Sequence, residues 1–172
     1  YSTVFGTNWP VPNISPLAFL VANCENVYVS GWGGSVNLSF HAGNTSLLPE
    51  VNPLPNIPAA DGADLYFFVL EKNAQSQLFG SHFGQNGGGG DHVDGGTSRF
   101  DERGVIYQAE CANCNGVNTP GIIYPVGPVG VWSLTNNSDN CNQAAIKIDM
   151  NFSGVSVGLQ AAINSVINDT IG

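Results

Sequence analysis

Two stretches of this chain repeat one another 79 positions apart. Ala22-Asn-Cys-Glu-Asn-Val-Tyr-Val-Ser30 aligns with Asp101-Glu-Arg-Gly-Val-Ile-Tyr-Gln-Ala109, so Tyr28 falls on Tyr107 and Val27 on Ile106. At the same offset Asp64–Glu71 falls on Gln143–Met150, and an offset of 78 superposes Phe5-Gly6 on Phe83-Gly84. A fixed period means stacked supersecondary units, each unable to bury its apolar face alone. It constrains architecture much more than function.

The repeats read as strands. Helical periodicity is almost absent, and 22 Gly, 10 Pro and 20 Asn mark a chain full of turns. In order come a short strand at Tyr1–Gly6, a buried strand at Leu17–Ala22, and a third at Asn26–Gly31 after a tight turn. A long loop over 32–63 carries Pro49, Pro53, Pro55 and Pro58. Leu65–Glu71 is a continuous apolar run, the mark of a central strand, and Gln77–Gly84 follows it. The second unit repeats the plan with Val93–Asp101, the turn Glu102-Arg-Gly104, and Val105–Cys111. A loop over 112–140 follows, then Ala144–Met150 and an alternating segment Gly154–Ile163, with a helix over Leu159–Ile167 as its competitor. On Val105–Cys111 one face carries Val105, Tyr107 and Ala109, the other Gln108 and Glu110.

The expected fold is therefore all-β: two propeller-type, four-stranded antiparallel blades plus an orphan N-terminal strand. The divisions are 1–7 (orphan strand), 8–85 (first blade), 86–163 (second blade) and 164–172 (tail). Two blades do not close a propeller. The partners expected are flanking blades of a longer chain, or other copies joined by β-strand addition, with a filament as one outcome.

Charge narrows the function classes. A net charge of −9 with only four basic residues argues against nucleic acid and anionic membrane surfaces. No apolar run approaches the roughly 20 residues of a membrane span. Charged residues are only 10% of the chain. The sequence starts and stops mid-pattern, which points to a mature or excised piece of a longer chain.

The cysteines are Cys24, Cys111, Cys114 and Cys141. An even count with few lysines suggests an oxidising setting and disulfides. A zinc site competes poorly, since only Cys111-x-x-Cys114 is paired as a knuckle. Antiparallel pairing of the strands around the 112–140 loop brings Cys141 beside Cys111 and Cys114, so one bridge joins Cys141 to one of these two, with Cys114 favoured. The pairing of Cys24 does not follow from the pattern.

Other motifs point less sharply. Gly87-Gly-Gly-Gly-Asp-His-Val-Asp-Gly-Gly96 lacks the Gly-Lys-Ser/Thr of a phosphate loop. Asp91 and Asp94 offer oxygens to calcium, against a plainer reading as turn caps. No other cofactor is implied. Trp32 and Trp132 open or sit in the long loops, where they either stack on sugars or pack loop against blade. His92 with Asp94 or Asp101, and the pair Asp61 and Asp64, are the only catalytic constellations, and no Gly-x-Ser-x-Gly accompanies them. The chain reads as a non-enzyme. Asn37, Asn44, Asn136, Asn151 and Asn168 begin N-glycosylation patterns, meaningful only in a host with that machinery.

Tyr1-Ser-Thr-Val-Phe-Gly6, Glu25–Gly31, Asp91–Ala109, Cys111-Ala-Asn-Cys-Asn-Gly116, Thr119-Pro-Gly121 and Trp132–Ser138 with Cys141-Asn142 resemble the bacterial β-propeller repeat. They look most like the version in gliding-motility-associated surface proteins of Bacteroidota-type bacteria. The resemblance covers most of residues 1–152 and is closest over Asp91–Gly116. It implies a secreted, cell-surface, multidomain protein followed by further β-sandwich modules, and says less about activity. Asp169-Thr170-Ile171 resembles the O-glycosylation sequence of such exported proteins, which implies Thr170 as an acceptor. The function expected is an extracellular structural or adhesive module; the alternative is a lectin-like domain that binds surface glycans.

Overall fold

A computed structural model of the chain describes residues 2–7, 10–34, 44–57, 61–85, 90–93, 96–114, 124–125 and 141–150; for 113 and 114 it describes backbone only. The protein is all-β. Among the described residues the only helical pieces are 3-10 turns at Thr45–Leu47 and Lys72–Ala74.

The first sheet is β1 (Ser15–Val21), β2 (Val27–Trp32), β3 (Leu65–Leu70) and β4 (Gln77–Phe83), antiparallel in that order. The second holds β5 (Gly90–His92), β6 (Ser98–Phe100), β7 (Val105–Cys114) and β8 (Asn142–Asp149). Cys111 pairs with His92 on one side and Gln143 on the other, and Tyr107 with Arg99 and Lys147. β5 and β6 therefore lie along one edge of β7, as two ends of an interrupted strand. Of the strand expected at Val93–Asp101 only Ser98–Phe100 forms, β5 lies ahead of it, and Gly96 before β6 adopts a left-handed φ of 78°.

The repeat is real at the level of the hairpin turn. Ala22 N–H donates to Asn26 O and Glu25 N–H to Ala22 O; 79 residues later Asp101 N–H donates to Val105 O and Gly104 N–H to Asp101 O. The fourth turn residue has a positive φ in both, 65° at Glu25 and 83° at Gly104. Beyond the hairpin the register slides by one. Tyr28 pairs with Val69, but Tyr107 pairs with Lys147, so the offset between β3 and β8 is 78 rather than 79.

Strand β3 is apolar throughout because both its faces are covered. Leu65, Phe67 and Val69 enter a core shared by the two sheets, with Tyr28, Phe79 and Phe83 on one side and Val93, Ile106, Ala112, Ile148 and Met150 on the other. Tyr66 and Phe68 point the opposite way, into a smaller cluster with Ile14 and Leu48. The sheets thus pack face to face, with Tyr28 edge-on to Phe100 at 6.0 Å.

The orphan N-terminal strand is not formed: residues 2–7 make no strand. The Phe5 ring instead stacks on Phe68 at 4.2 Å. Asn13 turns this segment back, accepting from Thr7 N–H at 2.8 Å and donating to Asn44 O at 3.0 Å. Stacking and side-chain hydrogen bonds here replace a strand ladder. The segment 154–163, expected as the last strand, lies outside the described residues.

Candidate functional site: a buried acidic seam

Asp64 opens β3 and is 2% exposed. Its Oδ2 accepts from Asp61 N–H at 3.1 Å and Gly62 N–H at 3.3 Å, and Asp61 Oδ1 accepts from Ala63 N–H at 2.9 Å. These bonds shape the bend that delivers the chain into the sheet. Asp91 on β5 is fully buried, and its N–H donates to Ala63 O at 2.9 Å, so β5 docks on this bend. The two carboxylates close around Gly84. A Cβ there would lie 2.3 Å from Asp64 Oδ1 and 2.4 Å from Asp91 Oδ2, which leaves room for glycine alone.

Glu110 on β7 is the third buried acid, 3% exposed. It accepts from Gln108 Nε2 at 2.8 Å and from the Tyr124 hydroxyl. Ser98 Oγ donates to Gln108 Oε1 at 2.7 Å. Tyr124 packs edge-on to Phe83 at 5.5 Å, and both the Glu110 and Asp91 charges act on its hydroxyl. The seam thus runs between the sheets through Asp64, Asp91, Tyr124, Glu110, Gln108 and Ser98.

Electrostatics follow from desolvation. Burial, reinforced by the Asp61 charge, pushes Asp64 up to about 6, against the pull of the Gly62 and Asp61 amides. Burial pushes Glu110 up to about 7, although hydrogen bonds from Tyr124 and Gln108 favour its charged form. Burial and the Glu110 charge raise the Tyr124 hydroxyl. Burial thus favours the protonated form of each of these groups.

The sequence-derived site residues scatter. Asp91 belongs to this seam; Asp94 lies outside the described residues. Among the described residues no group of three His, Cys, Asp or Glu side chains could hold a metal ion. His92 sits with its ring 5.7 Å from Trp32, and Trp32 packs against the shared core. Trp32 is thus partly buried between its own sheet and the shared core. Trp132 and Thr170 lie outside the described residues. Asp101 caps its own turn, accepting from Arg103 N–H at 2.9 Å and Val105 N–H at 3.0 Å. Asn44 Oδ1 is engaged by Ser46 N–H at 2.8 Å.

The cysteines divide. Neither Cys24 nor Cys111, both among the candidate disulfide cysteines, is bridged among the described residues. Cys24 stands exposed on the β1–β2 turn, and Gln143 Nε2 lies 3.4 Å from Cys111 Sγ. Cys141 is disulfide-bonded. The side chain of Cys114 lies outside the described residues.

The residues that sequence reasoning missed are Glu110 and Tyr124. Tyr107 is 40% exposed while Gln108 and Glu110 face the core. The available signal was that Ile106 and Ala112 share the Gln108–Glu110 face, with Ser98 opposite Gln108 to satisfy it.

The chain matches no family model, no curated protein sequence and no solved structure. Among the described residues no helix is long and apolar enough to cross a membrane.

Proposed function

We propose that this protein is an extracellular structural or adhesive module, built from propeller-type repeat sheets like those of gliding-motility-associated bacterial surface proteins, and without catalytic activity. One observation carries this reading: the two hairpins are the same unit used twice in a stack. Tyr28 faces the second sheet, whereas Tyr107, its partner in the repeat, faces away from the first. Units related in this way have stepped along a stack rather than mirrored across it, as blades and solenoid repeats do. The disulfide at Cys141 supports an oxidising compartment. The acids of the seam are buried and tied to backbone and side-chain donors, which supports a structural role for them. Trp32, partly buried against the shared core, supports the packing role over the carbohydrate-binding alternative.

The test is where the native protein resides and in what redox state. Protease shaving of intact producing cells, with mass mapping of Cys141, is expected to release the protein from the surface with Cys141 oxidised. A cytosolic protein with Cys141 reduced overturns the reading.

A further inference from the structure

The two outer strands of the first sheet are treated differently. β4 is covered along its outer side: Val51 N–H donates to Gly80 O at 2.9 Å, Gly80 N–H to Val51 O at 2.7 Å, and Asn52 Nδ2 to Leu78 O at 3.0 Å. β1 pairs only with β2 among the described residues. Its first half is blunted by Pro16 and by a register shift between Pro16 and Ala18. From Ala18 to Val21 the pairing is regular, and Phe19 and Val21 stand 68% and 50% exposed. Both project from the outer face, where Phe19 lies opposite Val29 and Val29 opposite Phe68, the ring on which Phe5 stacks.

Charge says what can approach. The chain carries a net charge of −9, yet residues 1–24, β1 among them, contain no charged side chain. Copies of so acidic a chain repel one another except through an uncharged surface. Proteins guard edge strands with lysine, and β1 has none.

We propose that β1 is a self-association edge: two copies pair β1 to β1, antiparallel about a two-fold axis, joining two four-stranded sheets into one of eight. Antiparallel pairing of a strand with itself is self-complementary, as a two-fold interface demands. Any register that sets odd residues opposite odd keeps Phe19 and Val21 of both copies on one face, where they bury one another. The inference deepens the structural-module reading and rests on it only for purpose.

Sedimentation velocity over a wide concentration range tests it, in a Cys24→Ser background that removes covalent dimers through the neighbouring thiol. A reversible dimer is expected. Phe19→Lys should weaken it about tenfold or more, leave thermal unfolding of the monomer unchanged, and speed amide exchange over Ala18–Val21. Tyr107→Lys, an exposed change on the other sheet, should leave the dimer intact. A monomer at every concentration, or a dimer indifferent to Phe19→Lys, overturns the proposal. So does a dimer lost to Val157→Lys but kept by Phe19→Lys, which assigns the contact to the alternating segment after β8. In each of these cases surface exposure and an oxidised Cys141 leave the module reading standing.

Discussion

The two sheets start from the same hairpin and end in different environments. In the first, β2 and β3 are covered on both faces: Tyr28 and Phe67 look into the shared core, and Phe68 and Tyr66 lie under Phe5, Ile14 and Leu48. In the second, the outer face of β7 is open at Tyr107 and Ala109 among the described residues, although Val105 on that face is buried. Ile106, Ile148 and Met150 are buried, while Tyr107 is exposed and Lys147 Nζ lies 5.6 Å from its ring centre. A repeated sequence specifies the turn and the hairpin. Whether its tyrosine is core or surface depends on which side of the stack carries a neighbour.

The comparison breaks most directly at the paired tyrosines. Tyr28→Ala should cost about 3–5 kcal/mol, the range for emptying a large aromatic site. Tyr107→Ala should cost under about 1 kcal/mol. Denaturant titration of both variants decides it; equal losses would mean that the second sheet also has a covered outer face.

The next effect belongs to the second sheet alone. We expect Cys141 to be bridged to Cys114, closing a loop of roughly 27 residues and contributing about 3–4 kcal/mol in the chain-entropy model. Non-reducing peptide mapping should return that pair, and Cys111→Ser should leave stability nearly unchanged. A map joining Cys141 to Cys111 refutes the assignment.

The polar seam gives a pH signature. Glu110 is held near 7 in the folded state, against 4.5 as an ordinary glutamate. A raised folded value means that the protonated form is favoured on folding. Its contribution, about 3 kcal/mol at most, is fully present below 4.5 and is lost as pH rises through about 7. Asp64 adds the same sign over a lower window, up to about 6. Glu110→Gln should flatten the fall in stability between these limits. A pH profile unchanged by that substitution would place Glu110 in contact with water.

The smallest effects test the shared turn. Glu25→Gly should stabilise by about 0.5–1 kcal/mol, by relieving a positive φ. Gly104→Ala should do the reverse and more, because its Cβ would meet the Tyr28 ring at 2.5 Å. If both changes are neutral, the positive φ constrains neither turn.

Much of the fold was legible because its signals are local. Alternation, turn residues and the 79-residue offset located strands β1 to β4, β7 and β8, and the continuous apolar run of β3 announced a strand covered on both faces. The site was less legible. Asp64 and Asp91 are 27 positions apart, and nothing in either neighbourhood says that they converge on Gly84. Glu110 reads as an outward charge until Tyr124 and Gln108 are seen to satisfy it.

Turn chemistry, strand identity and the absence of charged side chains before Glu25 are properties of short stretches, and local sterics and composition dictate them. Which face of each strand is inside was decided by packing one sheet on the other, and the one-residue slip between β3 and β8 shows only in the pairing. The physical reason is the two-residue period of a strand. Local alternation defines two faces equally well, and only a neighbouring sheet, with its volume and its hydrogen-bond donors, selects the one to bury.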